Sequence, residues 1–301
     1  MALTINTNLS SMIVQQNLQK STNQLNSAIE RMTTGSKINH ASDNAAGYSI
    51  ARNWEARLGS LDVAADNAAT GADMLSTLED NYALISSHIQ RVRDLTEQAA
   101  NGTYGSQSKI AIQSEINARL QEVDRIAANC EFNGRYMMDG SIGGSLAIQV
   151  GIEGTASKSQ ISLAATLFDR GDIDALFKNA TGNTTDAAKE TARAAVAKQC
   201  AGLKTTSSEK TAAEMLGKID TVINKISSRI TTLGAAQNRI ESAIESIGVQ
   251  SENITSSLST LRDADVATES SNYIKAQILQ QASATLLATA NQTPSIALNL
   301  L

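Results

Sequence analysis

The chain has 301 residues, of which 42% are hydrophobic, 3% are aromatic and one is proline, and its formal net charge is −5 at pH 7. Its charges are mixed in sign and it has no run of 18 apolar residues, so we expect neither nucleic-acid binding nor a membrane span. Because proline is nearly absent, helix can extend along most of the chain. The N-terminal segment lacks the basic and apolar regions of a cleaved signal peptide, which indicates a cytoplasmic protein or one exported without such a signal.

The first and last segments each carry one thin apolar stripe on a polar helix. Spacings of seven, four and three residues place these side chains on single helical faces. We call the set the assembly seam: Leu18, Leu25, Ile29, Met32, Ile274, Ile278, Ala282 and Leu286. Two such helices could pair, but the stripes are too narrow to offset a backbone ordering cost of about 1–2 kcal/mol per residue. We predict that the termini are disordered in the monomer and fold on assembly.

Two more helices are predicted after the first stripe. A long apolar stripe predicts a helix from about residue 45 to 99, ended by Asn101-Gly102, since glycine readily adopts the left-handed conformation found at helix ends. Residues 108–129 show the same helical periodicity.

The middle of the chain changes in character. Apolar residues alternate with small or polar ones at 146–150 and at 161–163, which predicts a β-hairpin with a turn at 151–154. The following segment, 172–207, carries no long stripe, and its Ala-rich part at 186–199 predicts a short helix. We interpret 172–207 as a surface excursion.

The most regular pattern runs from Ile219 to Leu261 in alternating steps of four and three residues. Such a repeat is typical of a seam between long helices, and six heptads would form a rod of about 63 Å. We call its central part the rod seam: Ile226, Ile230, Leu233, Gln237, Ile240, Ile244, Ile247, Ser251, Ile254 and Leu258. We predict a mainly α fold, an elongated coiled-coil-like helical bundle formed by the N- and C-terminal segments, with a small β-hairpin region.

Two rod-seam positions, Gln237 and Ser251, are polar. They either relieve an over-hydrophobic seam or specify the register between long helices, which is a known use of buried polar groups.

No set of residues predicts catalysis, cofactor binding or a metal site. The two histidines, His40 and His88, begin no metal-binding motif and have no Cys or carboxylate cluster at ligand spacing. Cys130 and Cys200 are predicted as buried thiols, with a disulfide as the alternative. We therefore predict that the protein is not an enzyme.

Six short motifs follow one another along the chain. They are S-D-N-A-A-G at 42–47, Q-R-V-R-D-L at 90–95, E-F-N-G at 131–134, L-G-A-A-Q-N-R at 233–239, R-D-A-D at 262–265 and Q-A…A-N-Q between 281 and 292. Each motif is weak alone, but all six in this order are specific. Over about residues 1–165 and 212–301 the chain resembles the bacterial flagellins.

The resemblance implies a structural subunit that self-polymerises into the flagellar filament for swimming motility. It implies three regions: an inner terminal helical domain (1–44 and 262–301) in the filament core, a rod domain with the hairpin (45–171 and 208–261), and a variable surface-exposed insertion (172–207). The chain would be its own partner in a helical homopolymer, with the export chaperone, the filament cap and the hook-junction proteins as further partners. Export through the flagellar type III apparatus would place it outside the cell.

The resemblance also implies a receptor-contact set: Gln90, Arg91, Leu95 and Glu115. At matching positions flagellins are bound by the host Toll-like receptor that senses them. An ordinary solvated or subunit-facing helix surface is the alternative. The motif continues here as Thr96-Glu97, where strongly recognised flagellins more often have Ala-Val.

Two other functions are compatible with such a chain. A hook–filament junction protein shares flagellin-like ends but does not self-polymerise, so assembly in vitro distinguishes the two. A host-binding adhesin would use residues 172–207, which contain a single aromatic residue and so make a poor adhesive surface.

Overall fold

A computed structural model describes residues 8–177, 186–203 and 212–298. The chain forms two compact units, which we call the terminal unit (1–59 and 250–301) and the central unit (60–249). The division at residues 44 and 262 into inner and rod domains stays a prediction.

The described residues are mainly helical, as predicted. The helices are α1 (Leu9–Thr34), α2 (Ala45–Ala100), α3 (Ser106–Asn129), α4 (Ala156–Ser159), α5 (Ile173–Phe177), α6 (Asp186–Cys200), α7 (Ala212–Arg262) and α8 (Val266–Leu298). The strands are β1 (Glu131–Phe132), β2 (Arg135–Tyr136), β3 (Leu146–Gln149) and β4 (Gln160–Leu163), and a 3-10 turn spans Ala165–Phe168.

The predicted hairpin is confirmed in the central unit. Strands β3 and β4 are antiparallel, with Leu146 opposite Leu163 and Ile148 opposite Ile161. Their alternation buries Ile148, Ile161 and Leu163 on one face. The sequence argument missed a second hairpin, β1–β2, closed by Asn133 and Gly134 at φ values of 49° and 78°. Asn-Gly is a strong signal for such a tight turn.

The core of the central unit is formed mainly by α2, α3 and α7. Fully buried side chains at helical spacing include Leu75, Leu78, Tyr82, Ile85 and Ile89 on α2, Ile116, Leu120 and Val123 on α3, and Ile219, Ile226 and Leu233 on α7. Ion pairs and hydrogen bonds cross these faces. Arg93 on α2 bonds to Asp220 on α7 at 2.7 Å, and Arg91 on α2 bonds to Glu115 on α3 at 3.1 Å.

The buried face of α7 is broader than the rod seam. Four residues of the rod seam are buried: Ile226, Leu233, Ile240 and Ile247. The other six are half-buried: Ile230, Gln237 and Ile244 in the central unit, and Ser251, Ile254 and Leu258 in the terminal unit. Six buried residues of α7 lie outside the rod seam: Ala212, Met215, Ile219, Val222, Arg229 and Ala236. The shift arises because α7 contacts α2 and also the segment after β4. The rod seam therefore names only part of the buried face.

Arg229 is the least expected member of this face, with 7% exposure. Its guanidinium donates to Tyr82 Oη over 3.0 Å and to the carbonyl oxygens of Asp169 and Arg170 over 3.3 and 3.2 Å. The Tyr82 hydroxyl donates to the carbonyl oxygen of Leu167 over 3.2 Å. Burial raises the pKa of Tyr82, and the neighbouring Arg229 charge opposes that rise. Arg229 thus attaches the segment after β4 to α2 and α7.

Gln237 has a specific partner on α2. Its Nε2 donates to Glu79 Oε2 over 2.8 Å. For Gln237, a directed bond between two helices favours the register hypothesis over simple relief of hydrophobicity. For Ser251 the choice between the two hypotheses stays untested.

Part of the 172–207 segment belongs to the core. Ile173, Leu176, Ala197 and Cys200 are at most 5% exposed, so the expectation of a surface excursion is wrong for these side chains; residues 178–185 and 204–207 lie outside the described residues. Asp124 on α3 holds the segment, because its carboxylate accepts hydrogen bonds from Ile173 N and Arg193 Nη1, both over 2.9 Å. Burial raises the pKa of Asp124, and these two bonds oppose the rise.

Cys130 and Cys200 are free, buried thiols, as the sequence predicts. Burial raises the pKa of each thiol to about 11. The thiolate, which is the reactive form, is therefore scarce at neutral pH in the folded chain.

Gly71 marks the contact of β3 with α2. A Cβ at this position would lie 2.5 Å from Ile148 Cδ1, with two other Ile148 carbons at 3.3 and 3.4 Å. We expect Gly71→Ala to lower the free energy of unfolding by about 1–3 kcal/mol through overpacking, measured by urea titration. Gly59, in the same helix, faces open space, so Gly59→Ala should raise it by about 0.5–1 kcal/mol. Equal effects of both variants would contradict the contact.

Candidate assembly surface

The terminal helix pair, α1 with α8, is antiparallel. Asn8 Nδ2 donates to the carbonyl oxygen of Ala290 over 2.7 Å, and at the opposite end Arg31 Nη1 lies 3.5 Å from Glu269 Oε1. Asn8 also caps α1, since its Oδ1 accepts from Ser11 N over 3.1 Å.

Apart from Glu269, which is 9% exposed, the residues buried in this pair are small. Ser21, Ala28, Ala276 and Ser283 are 3–8% exposed. Small side chains let two helices approach closely, but each removes little apolar area from water, at about 25 cal/mol per Å². The pair therefore has a narrow seam of its own and modest stability.

Most of the large apolar side chains of the terminal helix pair are exposed and not buried in its seam. In the assembly seam, Leu18 and Leu25 are half-buried and the other six are exposed: Ile29 at 42%, Met32 at 37%, Ile274 at 54%, Ile278 at 59%, Leu286 at 57%, and Ala282. Five large apolar residues outside the assembly seam are also exposed: Leu9, Met12 and Ile13 on α1, and Val266 and Leu279 on α8. Leu9 lies three residues before Met12 and four before Ile13, and this helical spacing was the sequence signal for an apolar face at the start of α1. An extended exposed apolar surface indicates an interaction site.

Two turns connect this pair to the rest of the terminal unit. In the turn before α2, Asp43 accepts hydrogen bonds from the backbone N–H groups of Asn39 and His40, both over 3.0 Å, and these bonds lower its pKa. Asn44 caps α2 by accepting from Gly47 N over 2.9 Å. A Cβ on Gly47 would lie 2.9 Å from Ile38 Cδ1 and from Asn44 Nδ2, so a larger residue in this first turn of α2 would displace these side chains.

Asp265 caps α8 in the second turn. Its carboxylate accepts from the Thr268 hydroxyl over 2.7 Å and from Ala267 N over 2.9 Å. The bond from Thr268 is the main cause of a lowered Asp265 pKa, and the backbone bonds add to it.

The lowered pKa predicts how the cap responds to acid. The ionised cap stabilises the start of α8 fully above the ordinary carboxyl pKa of 3.8, and this contribution is lost as the pH falls through the lower folded-state pKa. We expect the stability difference between the unmodified chain and Asp265→Asn to shrink as the pH falls from 5 to 2, measured by hydrogen exchange in α8. Asp265→Ala, which has no acceptor, should be less stable at both pH values. A pH-independent difference for Asp265→Asn would contradict this.

Comparison with known proteins decides the family. The bacterial flagellin N-terminal helical region matches residues 5–142, and the bacterial flagellin C-terminal helical region matches residues 216–301. The chain belongs to the bacterial flagellins. A flagellin of Xenorhabdus nematophila is 34% identical and aligned over 100% of both chains. Flagellin FlaB2 of Treponema pallidum (strain Nichols) is 32% identical and aligned over 99% of both.

One solved structure shares the fold. A putative flagellar hook-associated protein from Vibrio parahaemolyticus superposes with a TM-score of 0.58 at 13% identity, covering 73% of this chain and 100% of that chain. At that identity the likeness shows the fold alone.

As a flagellin, the chain is a structural subunit of the bacterial flagellar filament, it serves motility, and it is not an enzyme. Among the described residues, no group of three or more His, Cys, Asp or Glu side chains is placed to hold a metal ion. None of the described helices has the length and apolarity required to cross a membrane.

The flagellin receptor-contact set is only partly on the surface. Gln90 and Arg91 are exposed on α2, and Arg91 pairs with the half-buried Glu115. Leu95 is 2% exposed within the core. In this conformation Leu95 could support the α2 surface but could not contact a receptor with its side chain. Receptor binding by the other three residues stays a prediction.

Proposed function

We propose that this flagellin assembles through the apolar faces of the terminal helix pair, and that the pair orders fully only in the filament. The supporting observation is the exposure of Ile274, Ile278 and Leu286 on α8, at 54–59%, beside a seam of small residues. Burying one large aliphatic side chain contributes about 1.5–3 kcal/mol. Contacts with neighbouring subunits would therefore stabilise α1 and α8 far more than the contact between these two helices does.

The same exposure accounts for an open polymer. Both α1 and α8 carry exposed large apolar residues, so one subunit can contact different surfaces of several neighbours. Such heterologous contacts generate a helical filament when the rotation between subunits does not close a ring. Residues of the assembly seam are the proposed contacts.

Hydrogen exchange tests the ordering step. In the monomer, we expect amides of 9–34 and 266–298 to exchange much faster than buried amides of the central unit. In filaments grown from seeds, the same terminal amides should be protected. Equal protection in monomer and filament would contradict ordering on assembly.

Truncation tests where assembly takes place. A chain lacking residues 1–40 and 265–301 should retain the helicity of the central unit but add to no seeds in electron microscopy. Growth of this truncated chain at the rate of the full chain would place the essential contacts elsewhere.

We further propose the flagellar type III apparatus as the export route, with the export chaperone, the filament cap and the hook-junction proteins as partners. A chain whose ends expose apolar surface before assembly needs that surface covered, which is a chaperone's role. Marginally ordered ends would also pass easily through a narrow channel. Blocking the flagellar export apparatus should therefore retain the protein inside the cell.

The hook–filament junction role is the alternative, and it is tested by polymerisation, because the fold shared with a putative flagellar hook-associated protein does not assign a role. Polymerisation separates the two functions. Long filaments from purified chain and precipitating salt support a filament subunit, whereas oligomers that never elongate, even on seeds, support a junction protein.

A further inference from the structure

Three segments of the terminal unit meet at one arginine at the end of α7. The Arg262 guanidinium contacts a carboxylate oxygen of Glu55 on α2 through Nη1, and its Nε donates to Ser36 Oγ over 3.1 Å. Ser36 is 5% exposed, and its hydroxyl lies 3.2 Å from the carbonyl oxygens of Ile38 and Arg262. We call Ser36, Glu55 and Arg262 the joint.

The joint lies where the chain crosses to and from the terminal helix pair. One crossing leaves α1 after Gly35, at φ 67°, and the other enters α8 after Arg262. The crossings are bonded to each other, because Lys37 N donates to Arg262 O over 2.7 Å and Ala264 N donates to Gly35 O over 2.8 Å. These bonds use main-chain atoms, so they do not depend on the side chains of the joint.

The contact with Glu55 adds a different constraint. Glu55 lies ten residues beyond Ala45, the first residue of α2, and hence about 15 Å along the helix axis. The Asn44 cap holds α2 only at its first turn. A contact three turns along the helix therefore limits the direction of α2 relative to the two crossings, and with it the direction of the terminal helix pair.

The exposure of the joint argues for a role in orientation more than in stability. The side chains of Arg262 and Glu55 are 41% and 28% exposed, and ion pairs this accessible contribute little to folding free energy. A filament repeats one subunit geometry at every position. A small change of angle within each subunit therefore accumulates along the polymer and alters its shape.

We propose that the Ser36–Glu55–Arg262 joint sets the angle between the terminal helix pair and the start of α2, and thereby the waveform of the assembled filament. The inference rests on the filament-subunit role. Arg262 acts here as a positioning residue, since it orients helices that make the subunit contacts.

Arg262→Met and Glu55→Met test the joint, because each removes the contact and leaves both main-chain bonds between the crossings. Both variants should grow filaments on seeds with the same residual monomer concentration as the unmodified chain. In electron micrographs the helical pitch and diameter of their filaments should shift. Arg262→Met also removes the Nε bond to Ser36. The double variant should therefore show the shift of Arg262→Met alone and not the sum of the two single shifts.

Arg52→Met is the matched control. Arg52 bonds to the other carboxylate oxygen of Glu55, Oε2, over 3.0 Å, but it lies on the same helix and does not touch the crossings. Its filaments should keep the unmodified pitch.

Four results would overturn the proposal: an unchanged pitch in both single variants, additive shifts in the double variant, an equal shift in the control, or loss of filament growth in a single variant. The last result would make the joint a requirement for assembly instead of shape. Filament growth by the unmodified chain tests the filament-subunit role separately: if that chain does not polymerise, the proposed function fails and not the role of the joint.

Discussion

Replacing Ile278 with asparagine is expected to suppress filament growth while leaving the monomer intact. The Ile278 side chain is 59% exposed on α8, so the substitution should change monomer stability by no more than about 0.5 kcal/mol. On assembly, the variant loses about 1.5–3 kcal/mol of apolar burial and places an amide where partners are scarce. Since 1.4 kcal/mol is a factor of ten in an equilibrium constant, the monomer concentration remaining beside seeded filaments should rise about tenfold or more.

Sedimentation of seeded filaments gives that concentration, and thermal unfolding of the monomer gives its stability. Ile110→Asn is the matched control, because Ile110 is 52% exposed but lies on α3 in the central unit. This control should polymerise like the unmodified chain. If both variants lose growth alike, the assembly surface is not confined to the terminal helix pair.

Arg229→Met should have the largest effect on the central unit. Methionine keeps an unbranched apolar stem of similar length, but three oxygen atoms lose their donor: Tyr82 Oη and the carbonyl oxygens of Asp169 and Arg170. A buried acceptor left unpaired costs about 1–3 kcal/mol. Of these three oxygens only Tyr82 Oη belongs to a fully buried residue, since Asp169 is exposed and Arg170 is half-buried, so we expect a total loss of about 1–3 kcal/mol in the free energy of unfolding.

Urea titration followed by circular dichroism measures this loss. Arg239→Met makes the same change on the same helix at an exposed position and should alter the free energy by about 0.5 kcal/mol at most. Tyr82→Phe removes the hydrogen bond donated to the Leu167 carbonyl oxygen and the one accepted from Arg229, and it should cost about 1–2 kcal/mol. Equal effects of the two arginine variants would refute the bonding role of Arg229.

The long helices and the β3–β4 hairpin could be predicted because each depends on local periodicity, whereas the short helices α4 and α5 were not predicted. Long stripes of Ile and Leu at helical spacing mark α2, α3 and α7, and strict alternation marks β3 and β4. Asn101-Gly102 follows directly after α2, which ends at Ala100. The family motifs then connected this pattern to a function that periodicity alone does not specify.

Burial that depends on distant partners could not be predicted in the same way. Arg229 was not predicted to be buried, because a charged side chain is normally exposed. Val222 and Ala236, seven residues to either side on the same helical face, are buried as well. Its partners, Tyr82 and the carbonyl groups after β4, are 59–147 residues away. Likewise Arg193 meets Asp124 across 69 residues, which is why 172–207 looked like a surface excursion.

The terminal helix pair shows a second reason why some burial could not be predicted from the sequence. Large apolar residues mark the assembly seam in the sequence, but the seam of the pair itself is formed mainly by small residues, Ser21, Ala28, Ala276 and Ser283. Small residues are common on every face of these helices, so their spacing gives little contrast.

The burial of Cys130 and Cys200 makes the folding state of this flagellin visible to simple chemistry. With both thiols enclosed and their pKa raised to about 11, a maleimide at neutral pH should label the folded chain slowly. An unfolded chain exposes ordinary thiols, with a pKa of about 8.5, and should be labelled quickly. The two natural cysteines can thus act as an internal reporter that separates chain in transit from subunits already folded.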